Sequence, residues 1–463
     1  MALTKISTDG VKDDAITKAK IPANQIEASE LANNAVDANA IQDNAVTENK
    51  LGPTSVTASK IAQNAVSLDK LPLGNNTVDG KFLRANNGAE PTFETVSTTP
   101  ADGSITQAKL NFPVANRNLV INGNFKIAQR ALSHGSSGYR TVDRWKMSAG
   151  GANASLTQSQ YSAISGTSPY AEGHHQAYRI DNAGQNANTQ GYVYMQHHIE
   201  AQDIVSSGWN FKSSSSYITL SFWIRSSVTQ THLVSLLTSD GTLREWNHLV
   251  SLTADQWTKV TMTISGDSNI TMNNDNGIGL SLYFHAYLGN HYTSGSTVNQ
   301  WVTHAGYTSR PDMGAGWWTT SNATFMLTGV QLEAGSVATL FEHRPFAKEL
   351  ELCQRYFEKS YNYSHAVGTA DNDGSVMFLS NRNSGTPHTM LRFAVRKRAV
   401  PSLTAYDPTQ SNTAGMRDLD ASVTYTNIAM NRAGETGCTA YPNVSIPMGR
   451  FIQFHFTADA ELG

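Results

Sequence analysis

An aliphatic residue returns at every fifth position at the start of the chain. The series has no exception between its first and last members. In full it is Ile6, Val11, Ile16, Ile21, Ile26, Leu31, Val36, Ile41, Val46, Leu51, Val56, Ile61, Val66 and Leu71. Five residues turn a helix through about 500°, so no stripe forms on it, and residues five apart on a flat strand lie on opposite faces. A single helix or strand therefore cannot bury the series.

A chain that turns a corner once per short strand can bring these side chains to a common axis. One chain could do this as a solenoid, and three chains could do it around a threefold axis. One core residue in five is a thin core for a single chain, so we favour the homotrimer; a disordered linker would not keep the aliphatic residues in register. We predict a fibrous β-repeat stalk over residues 1–73, with the series as its core, and a neck over residues 74–115.

Composition excludes several classes of protein. The 463 residues contain 34 Lys and Arg against 37 Asp and Glu, a formal net charge of −3. Nucleic-acid binders need a basic excess, and no apolar run approaches the roughly 20 residues of a membrane span. The first residues lack the apolar core of a signal peptide, which indicates synthesis in a cytoplasm. Cys353 and Cys438 are too few for a disulfide framework in so long a chain.

Apolar and polar residues alternate with period two from about Asn116 onwards. Tyr217–Arg225, Lys259–Ser265 and Ile278–Leu288 each place apolar side chains on one face. Strands of this kind, separated by Gly, Asn and Ser turns, predict an antiparallel sandwich. We assign residues 116–345 to one jelly-roll β-sandwich.

The predicted strand Ile278–Leu288 has an aromatic row on its outward face. Aromatic rings match the C–H faces of sugars, and their polar tips can bond hydroxyl groups. More aromatic residues follow in loop-like segments. The candidate glycan-binding residues are Tyr283, His285, Tyr287, His291, Trp301, Trp317 and Trp318. The alternative is that these rings pack a second layer, a subunit interface or a covering loop.

A single amphipathic helix is predicted after the jelly roll. Pro345 fits its first turn, and apolar residues follow at helical spacing from Phe346 to Phe357. We expect this helix, over residues 346–360, to link the jelly roll to a small β-sandwich at the tip, residues 361–463. Alternation over Phe451–Thr457 supports strands in this last part.

The chain carries no convincing catalytic or metal-binding motif. Neither Gly-x-Ser-x-Gly nor His-Glu-x-x-His occurs, and carboxylates are sparse in the central domain. Neighbouring residues of a strand point to opposite faces, so the pairs His174-His175 and His197-His198 cannot chelate as units. The Asn- and Asp-containing runs 273–277 and 371–374 hold oxygen ligands, but they break the spacing of an EF-hand and suit turns, although calcium at one of them remains an alternative. We predict no catalysis, no cofactor and no metal.

Several segments resemble the receptor-binding tail fibres of tailed bacteriophages, particularly those of cyanophages. They are the stalk units, Asn118–Phe125, Asp143–Trp145, Thr328–Ser336, Phe341–Pro345, Cys353–Tyr356 and Phe454–Leu462. The resemblance implies a homotrimer fixed through its N-terminus to an adaptor or nozzle protein of the virion tail. It also implies distal β domains that bind a host surface glycan of the lipopolysaccharide type. The rival functions are a tailspike that cleaves polysaccharide and a structural tail component that never contacts the host.

Overall fold

The structure is a computed structural model of the chain. It describes residues 15–23, 25–33, 35–37, 40–62, 65, 81–86, 89–95, 117–151, 156–184, 188–295, 297–306, 309–382 and 385–463. The chain divides into two compact units, Met1–Thr99 and Pro100–Gly463. Strands greatly outnumber helices in the described residues, which confirms the all-β class. None of the described helices is long and apolar enough to cross a membrane.

The described strands and helices have the following bounds. The strands are β1 (Lys81–Asn86), β2 (Ala89–Thr95), β3 (Ser133–His134), β4 (Trp145–Gly150), β5 (Leu156–Tyr161), β6 (Ala177–Asn182), β7 (Tyr192–Glu200), β8 (Tyr217–Ser226), β9 (Gln230–Thr238), β10 (Arg244–Leu252), β11 (Thr258–Ser265), β12 (Ile278–Leu288), β13 (Trp301–Thr303), β14 (Ala323–Ala334), β15 (Phe357–Lys359), β16 (Val376–Leu379), β17 (Thr389–Arg392), β18 (Ser402–Tyr406), β19 (Met416–Asp418), β20 (Val423–Tyr425), β21 (Ile428–Gly434), β22 (Gly437–Pro442) and β23 (Phe451–Asp459). The α-helices are α1 (Ser168–Ala171), α2 (Ala201–Ser206), α3 (Gly316–Thr319) and α4 (Phe346–Gln354). Short 3-10 helices are Lys18–Lys20, Ala28–Glu30, Glu48–Lys50, Ala58–Lys60 and Asn290–Tyr292.

The repeat makes one tight backbone turn per five-residue unit. A backbone N–H donates to the carbonyl three residues earlier at Lys20 and then at every fifth residue from Glu30 to Ala65. Each turn starts directly after an aliphatic residue of the series. The described part of residues 15–62 contains 3-10 helices and turns but no strand, which corrects our expectation of winding strands. The reason is local hydrogen bonding. A backbone N–H that donates to the carbonyl three residues earlier is satisfied within its own unit and needs no neighbouring strand.

The aliphatic series is exposed in the single chain. Its described members, from Ile16 to Ile61, are between 38% and 61% exposed. A single-chain solenoid would bury them, so the described part of the repeat does not support that alternative. The first two members, Ile6 and Val11, and the last two, Val66 and Leu71, lie outside the described residues, as does most of the predicted neck; the hairpin of β1 and β2 is described for its backbone.

Two six-stranded antiparallel sheets form the sandwich in the second unit. The first sheet has the order β13-β10-β9-β12-β7-β4 and the second the order β11-β8-β14-β6-β5-β3. The predicted strands occur as β8, β11 and β12, and their inward apolar rows are buried, as Ile218, Leu220 and Phe222 illustrate. Trp145 lies at the centre of the core, in ring contact with Phe125 and three other aromatic side chains at most 6.5 Å away between centroids.

The C-terminal part is organised around β23. Strands β15, β16, β18 and β19 all pair with it, and β17, β22 and β21 form a separate three-stranded sheet. The predicted helix is present as α4 but ends at Gln354 rather than at residue 360. It ends early because the chain enters β15, where Phe357 pairs with Asp459. The division of residues 116–463 into domains stays a prediction.

A buried polar junction joins the sandwich to the C-terminal sheets. Arg144 forms an ion pair with Glu461, and Arg130 reaches Asp459 at 3.0 Å and Glu461 at 3.4 Å. Asn122 links three segments, because its amide nitrogen donates to the carbonyls of Ile127 and Asp143 while its backbone N–H donates to Glu349. Five of the segments on which the resemblance rests contact one another here: Arg344 donates to Asn118 O, Arg144 pairs with Glu461, and Arg144 lies over the ring of Tyr356. These motifs therefore have a structural role at the junction.

Candidate functional site

A groove lies on the outward face of the first sheet of the second unit. It has a volume of about 200 Å³ and is lined by Tyr192, Tyr194, Leu288, Tyr292, His304, Gly306 and Arg310. Strands β7 and β12 supply its floor, and the 3-10 helix Asn290–Tyr292 and the segment after β13 supply its wall. Period-two alternation places every second residue of β7 on this face, while Val193 and Met195 between them enter the core.

Partly exposed tyrosines dominate the groove. Tyr192 and Tyr194 lie nearly parallel, with their ring centroids 5.6 Å apart. Tyr283, opposite β7 on β12, meets Tyr194 edge-on at 5.3 Å, and Tyr292 meets Tyr192 edge-on at 5.8 Å. The rings therefore form one continuous aromatic surface.

A β-bulge near the end of β12 decides which of its aromatic residues reach the groove. His285 pairs with Tyr194, but Tyr287, two residues later, pairs with Val193, only one residue earlier on β7. One extra residue shifts the side-chain phase, so Tyr287 turns into the core and Leu288 turns out to the groove. Tyr287 is only 4% exposed. The prediction that it shares the outward face with Tyr283 is wrong for this reason.

Arg310 is fixed beside the aromatic surface by a buried carboxylate. Its Nε donates to Glu245 Oε1 at 2.6 Å, and its guanidinium carbon lies 5.6 Å from the ring centroid of Tyr283. The other oxygen of Glu245 is held by Ser309 Oγ at 2.6 Å and by His304 Nδ1 at 3.0 Å. Both carboxylate oxygens are thus occupied by protein groups, and Glu245 is fully buried.

The protonation states of the site follow from burial and neighbours. Burial alone would raise the pKa of Glu245, but the bond from His304, the charge of Arg310 and the bond from Ser309 lower this pKa to about 2. Burial raises the pKa of Tyr194 to about 12 and raises that of Tyr283. Near neutral pH, Glu245 is therefore ionised, and both phenols keep the proton that they can donate to a ligand.

The other predicted site residues lie in different surroundings. His285 is fully buried beneath the groove, between Tyr194 and Tyr283. Trp317 and Trp318 are fully buried in the sandwich core, and Trp301 is 7% exposed and donates its indole N–H to Ser265 O. Of the seven candidates, the groove keeps Tyr283 at its edge, and His291 is exposed next to the wall residue Tyr292. These three tryptophans are packed inside the protein and therefore offer no ring face to a ligand.

Sequence reasoning missed most of the groove. Tyr192 and Tyr194 have the same alternation as Tyr283 and His285, in Tyr192-Val193-Tyr194-Met195, and this pattern was a usable signal. Arg310 and Glu245 are 65 residues apart in the chain, and no local pattern joins them. Among the described residues there is no group of three or more His, Cys, Asp or Glu side chains arranged to hold a metal ion.

Comparisons with known proteins return distant structural likenesses. No protein-family model and no curated protein sequence matches the chain. A solved structure titled "CBM4 structure and function" has a TM-score of 0.25 and 12% identity over 46% of this chain and 98% of its own. A family 11 carbohydrate-binding module from Clostridium thermocellum has a TM-score of 0.24 and 12% identity over 45% and 98%. The enzymatically active domain of tailspike protein 4 from bacteriophage CBA120 has a TM-score of 0.24 and 10% identity over 46% and 23%. At these TM-scores the likenesses carry no argument about this chain.

Proposed function

We propose that this protein is a non-catalytic adhesin that binds a glycan in the tyrosine groove. One observation carries the proposal: Tyr192, Tyr194, Tyr283 and Tyr292 form a continuous, partly exposed aromatic surface beside an immobilised arginine. Sugar rings have apolar C–H faces that stack on such rings and hydroxyl groups that bond the polar tips. Protein groups already fix Arg310, so little side-chain freedom is lost when a ligand binds.

Absence of catalysis is part of the proposal. Hydrolysis of a glycosidic bond needs two carboxylates, one of which must donate a proton. The described residues that line the groove include no carboxylate, and the nearby Glu245 is ionised, buried and bonded at both oxygens. We therefore expect a bound polysaccharide to keep its length.

Binding is tested by screening the full chain on a glycan array and titrating the best ligand. Tyr194→Ala should weaken binding about tenfold, equivalent to about 1.4 kcal/mol. The matched control is Tyr217→Ala, because Tyr217 is 38% exposed on the second sheet, away from the groove. Equal affinity of the two variants would remove the groove from the proposal. Shortening of the ligand, measured by size-exclusion chromatography, would favour a depolymerase instead.

We also propose that the repeat assembles three chains. The described aliphatic side chains are exposed in one chain at a constant five-residue spacing, and an exposed series of this length favours burial against copies of itself. Lys20, Lys50 and Lys60 each donate to the carbonyl five residues earlier, which links successive units and keeps them in register. Three weak sugar sites on one assembly would raise avidity by orders of magnitude.

Light scattering tests this assembly. The full chain should have three times its 50.2 kDa mass. Replacing Val46, Leu51 and Val56 together by Ser should lower the mass towards one chain, whereas the polar control Thr47→Ser with Thr57→Ser should keep it. A full chain that is monomeric would contradict the trimer and remove the avidity gain.

The proposed place of action is the tail of a virion, on a host cell surface. The support is the resemblance of the repeat and junction motifs to bacteriophage tail fibres, together with a groove suited to a glycan. In this role the first repeats attach to an adaptor or nozzle protein of the tail. Purified protein should adsorb to host cells and block infection. Failure to adsorb would favour a structural tail component.

A further inference from the structure

The terminal amino groups of Arg310 are not used by the described protein residues. Its Nε donates to Glu245, and this is the one hydrogen bond of the Arg310 side chain within the described part of the chain. The side chain is partly exposed and lines the groove. A fixed arginine with an open Nη edge presents two parallel N–H donors to whatever enters.

The network behind Arg310 holds that edge in place. Glu245 cannot rotate freely, because Ser309 and His304 hold its second oxygen, and Asn247 on the same strand donates its amide to Ser309 O at 3.1 Å. The ring of Tyr283 lies under the guanidinium carbon at 5.6 Å. An ion pair with a purely structural role would not require the guanidinium of Arg310 to be exposed to the groove.

The charge of the groove lining favours an acidic ligand. Among the described residues that line the groove, Arg310 carries a positive charge and none is a carboxylate. Asp312 lies on the same segment, but its Oδ1 accepts bonds from Thr293 Oγ1 and from the backbone N–H of Met313. A planar carboxylate matches the fork of a guanidinium in a bidentate pair, whereas a neutral hydroxyl uses one donor at a time.

We propose that the groove selects glycans that carry a carboxylate on the sugar ring, bound by the Nη atoms of Arg310 while the ring stacks on the tyrosines. This inference rests on the proposed function of the groove. It assigns two separable roles: the tyrosines bind sugar of any charge, and Arg310 distinguishes acidic from neutral sugar.

The test uses the full chain on a panel of matched glycans. Each uronic-acid polymer, including polygalacturonate and alginate, is paired with its carboxyl-reduced form, and sulfated and phosphorylated glycans are added. The wild-type chain should bind carboxylated members at least tenfold more tightly than their reduced partners, and raised salt should narrow the difference. Arg310→Gln should abolish this preference, while Tyr194→Ala should weaken binding to both forms by a similar factor.

A second variant distinguishes a loss of binding from misfolding. Arg310→Lys keeps a positive charge for Glu245 but lacks the bidentate fork, so it should fold as the wild type does and lose most of the preference. Equal binding of neutral and carboxylated partners, or tighter binding of sulfated or phosphorylated glycans, would overturn the inference and leave glycan binding intact. Binding of no glycan in either class would overturn both the inference and the proposed function.

Discussion

Two groups of aromatic residues lie on opposite sides of the first sheet, and they differ in what surrounds them. Below the sheet, Tyr287 stacks on Trp318 with centroids 4.7 Å apart, and both rings are buried. Above it, Tyr192 stacks on Tyr194 at 5.6 Å, and both rings are partly exposed. Stacking is therefore common to core and groove. Of these two groups, the rings above the sheet have an exposed face and lie beside Arg310, whose Nη atoms remain available as donors.

Because both groups contain stacked aromatic rings but only one is exposed, aromatic content alone does not locate a binding site. The inner group is closed on every side: the indole N–H of Trp318 donates to Asn188 O at 3.2 Å, and a Cβ on Gly191 would lie only 2.5 Å from the indole ring. The bulge after His285 in β12 places Tyr287 in the inner group. Substitutions on each side should therefore have different consequences for stability and for glycan binding.

Trp318→Ala should cause the largest loss of stability. The side chain is fully buried in the core, and truncating a buried tryptophan to alanine costs about 3–5 kcal/mol. Chemical denaturation of the full chain measures the free energy of unfolding. A small loss of stability together with a large loss of glycan binding would contradict the division into core and groove and return Trp318 to the candidate site.

The strands themselves were largely predictable from the sequence. Period-two alternation located β8, β11 and β12 to within a residue, and it placed Leu280, Leu282 and Phe284 in the core. That pattern is strong because each of these strands has one buried face. The all-β class followed from the same signal.

Three features were not predictable, for physical reasons. The bulge at Tyr287 leaves no mark in an alternating sequence, because Tyr287 would look outward-facing by count alone. The partnership of Glu245 with Arg310 depends on a loop folding back on β10, which is a tertiary event. In the repeat, the five-residue period was visible, but hydrogen bonds local to each unit, such as that from Ala45 N to Gln42 O, decided for turns over strands.

Glu245 should make the stability of the wild type depend on acid. The network lowers its pKa from 4.5 to about 2, which corresponds to a contribution on the order of 3 kcal/mol at neutral pH. Because the folded pKa is the lower one, this contribution is complete above about pH 4.5 and is lost as the pH falls through about 2. Glu245→Gln should be less stable than the wild type at pH 7, and the gap should close towards pH 2.

Denaturant titrations at the two pH values measure this gap. The matched control is Asp255→Asn, which removes a pair with Arg225 whose carboxylate is 61% exposed. Exposed pairs contribute about 0–1 kcal/mol, so this variant should follow the wild type at both pH values. A gap for Glu245→Gln that is the same at pH 7 and pH 2 would mean that the carboxylate is not the ionised anchor of Arg310.

Tyr283→Ala should affect binding more than folding. Its ring faces the groove and is partly exposed, so its truncation should weaken glycan binding about tenfold, or about 1.4 kcal/mol, and cost less unfolding free energy than Trp318→Ala. Thr261→Ala, an exposed position of β11 on the second sheet, is the control and should change neither quantity. Equal loss of binding in both variants would indicate that the second sheet, and not the groove, holds the ligand.

Tyr287→Phe should have the smallest effect and tests the bulge most directly. The substitution removes the bond from the hydroxyl to Asn188 O at 3.3 Å but keeps the stack on Trp318. Losing one such bond costs about 0.5–1.5 kcal/mol of stability, and glycan affinity should stay at the wild-type value because the ring points into the core. Tyr283→Phe, the same change four residues earlier on β12, should instead lower glycan affinity, because this hydroxyl lies at the groove. If Tyr287→Phe were the variant that lost affinity, β12 would continue without its bulge and the groove would extend along the whole strand.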